Sequence, residues 1–223
     1  MTFGKTTLMA GVAAGALALS SIGASAQGGF LDAPYISVFG GVSFLEDIDT
    51  DYFGGGARYS VGTDAGFVVG VAVGARFFDM VRGEIEFSYS EHDGDQEDST
   101  FNGPVNGDIQ TTYLLANVWY DFNFDSMFQP YVGGGIGIGF ADADTTFGGN
   151  TFGYGGSDEG FAFQVGGGVR VAVSEMISFD VSYRFKSILD VDFPDSDGGG
   201  VYANGDIYSH NIMGGLTLHF GGL

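Results

Sequence analysis

The sequence predicts an all-β chain: an eight-stranded antiparallel up-and-down transmembrane β-barrel with short turns at one end and four long connections at the other. Three observations carry that expectation. Eight segments alternate apolar residues with polar or very small ones, a period of two that marks strands with unlike faces. One face holds Arg, Glu, Asp and Gly while the other is nearly unbroken Val, Ile, Leu, Phe and Tyr, so closure places charges inside and apolar side chains outside. The connections alternate short and long, as they do when hairpins join at opposite ends of a membrane barrel. Lipid around such a surface requires every backbone N–H and C=O to be paired within the protein, and a closed barrel does this without leaving an edge.

In chain order, residues 35–44 set Ile36, Val38, Val42 and Phe44 outward against Tyr35, Ser37 and Ser43. Residues 66–76 set Phe67, Val69, Val71, Val73 and Ala75 against Gly70, Ala72, Gly74 and Arg76. The clearest alternation is 81–92, with Val81, Ile85, Phe87 and Tyr89 outward and Arg82, Glu84, Glu86, Ser88, Ser90 and His92 inward. Residues 109–121 turn Leu114, Ala116, Val118 and Tyr120 out and Tyr113, Asn117, Trp119 and Asp121 in. Residues 129–141 place Val132, Ile136, Ile138 and Phe140 over inward glycines, and 161–171 place Phe161, Phe163, Val165, Val169 and Val171 over Gln164, Gly166, Gly168 and Arg170. Residues 177–186 oppose Ile177, Phe179, Val181, Tyr183 and Phe185 to Asp180, Ser182, Arg184 and Lys186, and 208–220 close with Ile212, Leu216, Leu218 and Phe220 outward. The short connections are 77–80, 122–128 and 173–176, and the long ones 46–64, 93–108, 142–160 and 187–206. Aromatic residues gather at both strand ends, Phe77, Phe78, Trp119, Tyr120 and Phe128 among those near the short turns, Phe44, Phe67, Tyr89 and Phe140 among those near the long ones.

The start of the chain points to export: a basic beginning at Lys5, an apolar stretch over 8–18 and a small-x-small site at Ala24-Ser-Ala26 read as a signal peptide over 1–26. The apolar stretch is shorter than the roughly 20 residues that span a bilayer as a helix. The mature domain is then 27–223, with no cysteine for a disulfide framework or thiolate metal site.

Eight inward positions form the expected lumen charge network: Arg76, Arg82, Glu84, Glu86, Asp121, Arg170, Asp180 and Arg184. An eight-stranded barrel is only wide enough for side chains to fill, and an unpaired charge there would be costly. At least one of Arg82, Arg170 and Arg184 is therefore expected to pair with Glu84, Glu86 or Asp180.

Three stretches support a resemblance: Gln129-Pro-Tyr-Val-Gly-Gly-Gly-Ile-Gly-Ile-Gly, Pro34-Tyr-Ile-Ser-Val-Phe-Gly-Gly and Asn117-Val-Trp-Tyr-Asp-Phe. Together they resemble the small eight-stranded outer-membrane β-barrel family, which includes opacity-type surface antigens and the OmpA transmembrane domain. The resemblance covers essentially the whole mature chain and specifies a scaffold rather than an activity. It implies a cell outer-membrane location with both termini periplasmic, and a broad role in envelope integrity or surface contact. It also implies outer-membrane lipid, lipopolysaccharide and the outer-membrane assembly machinery as partners of a monomer. One departure is the Gly-Gly-Leu that follows Phe220, where such barrels usually finish on an aromatic residue.

The long connections hold nineteen Asp and Glu against Arg58 alone, which excludes nucleic acid as a partner because phosphate binding needs Lys and Arg. These acidic clusters would attract divalent cations, although a hydrated, soluble surface is the simpler reading. An EF-hand fails at Asp47, Asp49 and Asp51, since Tyr52 stands where the loop needs Gly and Arg58 where it needs Glu. The glycine runs alternate on strands with no following helix, so they are not phosphate-cradling loops. No cofactor, metal or catalytic residue is assigned. Ser90 with His92 and Ser209 with His210 are the pairs a lipid hydrolase would need, but no catalytic motif frames them. A narrow channel for small solutes and a lipid hydrolase are thus the alternatives to a non-enzymatic barrel with a side-chain-filled lumen.

Overall fold

The computed structural model describes residues 32–46, 48–51, 58–61, 65–77, 80–98, 103–124, 126–147, 155–194 and 201–220. The expected leader at 1–26, the Gly-Gly-Leu end and the tips of the long connections lie outside them. The strands are β1 (Asp32–Leu45), β2 (Ile48–Asp51), β3 (Arg58–Val61), β4 (Gly66–Phe77) and β5 (Val81–Asp98), then β6 (Gly103–Asp121), β7 (Phe128–Phe147), β8 (Gly155–Ala172), β9 (Ile177–Pro194) and β10 (Val201–His219). β2 and β3 form a hairpin of their own, and the other eight strands close a barrel in which β1 pairs with both β4 and β10. Every barrel pairing is antiparallel.

The alternation of the sequence becomes inside and outside. Along β9, Phe179, Val181 and Tyr183 are exposed, Val181 at 66%, while Ser178, Ser182, Arg184 and Lys186 between them are buried. Ile85 and Ile136 likewise face out. Such a surface is stable only against lipid, since large apolar side chains left in water forgo about 1.5–3 kcal/mol each of burial. Trp119, one of the aromatic residues near the short turns, does not face lipid. It is buried inside the barrel, because its odd position on β6 shares the inward parity of Asn117 and Asp121.

The strands run well past the expected ends, so much of what reads as long loop is sheet. β5 and β6 stay paired to Asp98 opposite Gly103, and β9 and β10 to Pro194 opposite Val201. In these outer extensions the polarity inverts. Leu45, Ile109, Ala162, Ile188 and Ile207 pack inside as an apolar cluster, while Glu46, Asp108 and Glu159 lie on the outside. Water outside the sheet restores the ordinary arrangement of a soluble barrel, and the change marks where lipid ends. Asp190, at φ 55°, interrupts β9 there, and its N–H donates to Asp206 Oδ1 at 3.0 Å. The β9–β10 register shifts at the same place, so Val191 rather than Asp190 turns inward.

Candidate functional site in the barrel lumen

The register carries the polar side chains of different strands to common levels. Glu84 on β5 lies opposite Asn117 on β6, Asn117 opposite Gly135 on β7, Gly135 opposite Gln164 on β8, and Gln164 opposite Lys186 on β9. Gly135 is needed in that row, because a Cβ there would overlap the Asn117 side-chain oxygen.

Glu86, with no solvent exposure, is the centre of the upper level. Its Oε2 accepts from Arg184 Nη1 at 2.5 Å, Gln164 Nε2 at 2.8 Å and Asn117 Nδ2 at 2.9 Å, and its Oε1 accepts from Lys186 Nζ at 2.5 Å. Lys186 also donates to Ser88 Oγ at 2.7 Å and lies over the Tyr113 ring at 5.0 Å. The bonds join β5, β6, β8 and β9 across the lumen, and inward apolar residues of the outer cluster, Ile109, Ile188 and Ile207 among them, lie above them.

Glu84 sits one level lower and is held by neutral donors. Tyr35 OH and Trp119 Nε1 each donate at 2.7 Å, and Asn117 Nδ2 donates at 3.1 Å as it bridges to Glu86. Asp180 likewise accepts from a phenol, Tyr131 OH at 2.8 Å. At the short-turn end Asp121 gathers the remaining cations: Arg82 Nε donates to both its oxygens at 3.0 and 2.7 Å, Arg170 Nη1 stands 3.6 Å away and Arg76 Nη2 4.0 Å. Aromatic faces cover the guanidiniums, with Arg82 5.0 Å from the Tyr131 ring centre and Arg184 5.0 Å from that of Trp119.

Arg184 and Glu86 therefore meet directly. Arg76, Arg82 and Arg170 converge on Asp121, and Glu84 and Asp180 rely on neutral partners. Lys186, Tyr35, Asn117, Trp119, Tyr131 and Gln164 complete the site without belonging to the charge network read from the sequence. Their inward parity was the available signal, but parity does not say which side chains meet across a lumen.

Between these levels lies a cavity of about 10 Å³, lined by Arg82, Arg170, Arg184, Glu84, Asp180 and Tyr131 among others. That is about the room one water needs. Arg82 Nη2, Arg170 Nε and Nη1, and Arg184 Nε find no acceptor within hydrogen-bond reach among the described residues.

The Ser–His pairs weighed from the sequence are not built. Ser90 hydrogen-bonds Thr111 at 2.6 Å, and Ser209 accepts from Asn211 at 3.1 Å. His210 stands outside at the rim between Tyr183 OH at 2.6 Å and Glu46 Oε1 at 2.7 Å. Ser178 and His219 do meet, at 2.9 Å, but both are buried in the lumen wall. Among the described residues no group of three His, Cys, Asp or Glu is placed to hold a metal ion.

A closed eight-stranded barrel with an apolar exterior and a hydrogen-bonded polar interior defines an integral outer-membrane β-barrel protein. Residues 12–220 match the family described as outer membrane protein beta-barrel domain, and the chain belongs to that family. It is similar to outer membrane protein PagN of Salmonella typhimurium, 31% identical over 136 residues that cover 52% of this chain and 55% of PagN. The chain thus spans about half the length of that relative. Among solved structures it resembles Neisserial surface protein A, with TM-score 0.51 and 19% identity over 84% of this chain and 97% of the other. It also resembles OprG from Pseudomonas aeruginosa, with TM-score 0.54 and 18% identity over 86% of this chain and 98% of the other. At such identities the two structures establish the fold.

Proposed function

We propose that this outer-membrane barrel is a non-enzymatic scaffold with a closed lumen, which contributes to envelope structure and makes surface contact through its acidic outer strands and connections. The observation that carries the reading is the Glu86 clamp. Four donors from three other strands converge on one carboxylate across the lumen, directly beneath an apolar cluster. Solutes would have to break charge-assisted bonds and then pass a level where Leu45, Ile109, Ile188 and Ile207 crowd the lumen beside Ser43, His92 and Thr111. Both termini are periplasmic in this reading and the long connections face outward, into the lipopolysaccharide leaflet and beyond. Divalent cations would bridge outward carboxylates such as Glu46, Glu91 and Asp108 to lipid phosphate. A monomer fits, because the closed ladder leaves no unpaired edge within the lipid-facing belt. Reconstituted liposomes test the reading: flux of small sugars at the rate of protein-free vesicles supports it, and flux well above that rate contradicts it.

One observation favours the second reading, a narrow channel. The unpaired guanidinium N–H groups around the lumen cavity suit a hydrated interior. A hydrolase has less support, since the Ser178–His219 pair is enclosed by the wall.

A further inference from the structure

The lumen carries more positive charge than its carboxylates balance. Among the described residues five cations turn into it, Arg76, Arg82, Arg170, Arg184 and Lys186, against four carboxylates, Glu84, Glu86, Asp121 and Asp180. Glu86 is taken up by Arg184 and Lys186 together. At the short-turn end the imbalance is sharper, since Asp121 Oδ2 alone faces Arg82 Nε at 2.7 Å, Arg170 Nη1 at 3.6 Å and Arg76 Nη2 at 4.0 Å. His219, bonded to Ser178, brings no negative charge. A surplus cation enclosed away from water is costly unless a counter-charge joins it.

The surplus has a location. The cavity of about 10 Å³ is lined by Arg82, Arg170 and Arg184, with Glu84 and Asp180 on the same wall. All three arginines are no more than 6% exposed, and each keeps nitrogen without an acceptor among the described residues: Arg82 Nη2, Arg170 Nε and Nη1, and Arg184 Nε. Aromatic faces hold them in place. Arg82 and Arg170 lie 5.0 and 5.6 Å from the Tyr131 ring centre, and Arg184 lies 4.8 Å from that of Phe39. The wall carboxylates already accept from other donors, Glu84 from Tyr35, Trp119 and Asn117, and Asp180 from Tyr131. A buried water makes about three hydrogen bonds and must place two hydrogens of its own among them. An anion accepts from several donors, places no hydrogen and cancels the surplus charge.

We propose that this cavity binds one small monovalent anion, a halide, held by Arg82, Arg170 and Arg184 as a structural counter-ion of the lumen. Its size excludes phosphate and sulfate. Chloride is a little wider than water, and the long arginine side chains yield the difference. Arg170 contributes most, because its Nε and Nη1 are both open while Arg82 and Arg184 already bind Asp121 and Glu86. Entry is from the short-turn end, where Arg76 is partly exposed. The proposal rests on the closed-lumen reading above, because a water-filled lumen would solvate the same N–H groups and screen the surplus.

The test uses crystals of the full barrel soaked in sodium bromide, with diffraction recorded at the bromine absorption edge. An anomalous peak within hydrogen-bond reach of Arg170 Nε is expected. In lipid vesicles, unfolding is compared in sodium chloride and in sodium gluconate, whose anion is too large for the cavity, at equal ionic strength. With chloride about tenfold above its dissociation constant, the folded-to-unfolded ratio should rise by a similar factor. Arg170→Gln removes the surplus cation, so its unfolding should be the same in both salts. Should that variant fail to fold, the wild-type peak and its chloride dependence decide alone. A bromide peak without chloride-dependent unfolding marks an adventitious ion only and overturns the proposal, as does chloride dependence retained by Arg170→Gln. Isolated waters in the cavity with no anomalous peak overturn it while the lumen stays closed. A continuous file of waters past Glu86 overturns the closed-lumen reading as well.

Discussion

Glu86 and Lys186 lie 100 positions apart in the chain and 2.5 Å apart in the lumen, both fully enclosed by the barrel wall. The contact needs β5 and β9 to stand on opposite sides of a closed sheet, so it exists only when every intervening strand is in register. Removing one partner would leave the other charged and enclosed. Glu86→Ala should therefore destabilise the barrel by about 3–5 kcal/mol, read from urea unfolding in lipid vesicles. Replacing Glu86, Arg184 and Lys186 together by apolar residues of similar volume should recover part of that loss. Unchanged unfolding of Glu86→Ala would show that water already solvates the site.

The lipid face makes a separate prediction. Arg at Ile85 or Val181, both outward and the fifth residues of β5 and β9, should cost roughly 2–4 kcal/mol, with less cost toward the interfaces. Folding yield into vesicles measures this, and free tolerance of Arg at both positions would contradict the assignment of faces.

Gly135 is predicted to be intolerant of any side chain, since a Cβ there meets the Asn117 side chain that links Glu84 to Glu86. Gly135→Ala should destabilise by about 1–3 kcal/mol through overpacking. Gly214→Ala, where a Cβ would meet only the Asp180 carbonyl oxygen at an ordinary 4.0 Å, should change stability far less.

Sidedness follows from the connections. Protease added to intact cells should cut in the β5–β6 or β9–β10 connection and spare the turn that contains Phe122 and Phe124. Cleavage at that turn with both long connections protected would mean the barrel is inserted the other way.

The barrel was legible in the sequence wherever lipid and lumen impose opposite demands on alternate residues. Parity alone put Arg82, Glu84 and Glu86 inside and Ile85 and Phe87 outside. The outer extensions were not legible, because there the alternation reverses sign: Ile109, Ile188 and Ile207 turn inward and Asp108 and Asp206 lie outside, so a charged strand reads as a charged loop. The switch of parity at Asp190 hides β9 further, since one left-handed residue moves Val191 to the inside. Within the lumen, the inward charges could be named but their partners could not. Which of Glu84, Glu86 and Asp121 meets which Arg depends on strand stagger around the closed sheet, a property of the whole barrel rather than of any segment.

The account's central claim is that the Glu86 clamp and the apolar layer above it close the lumen, and single-channel recording in a planar bilayer tests it most directly. The wild-type protein should be silent at moderate voltage, and Glu86→Ala should show more openings than wild type if it remains folded. A steady, ohmic conductance from the wild-type barrel would contradict the claim.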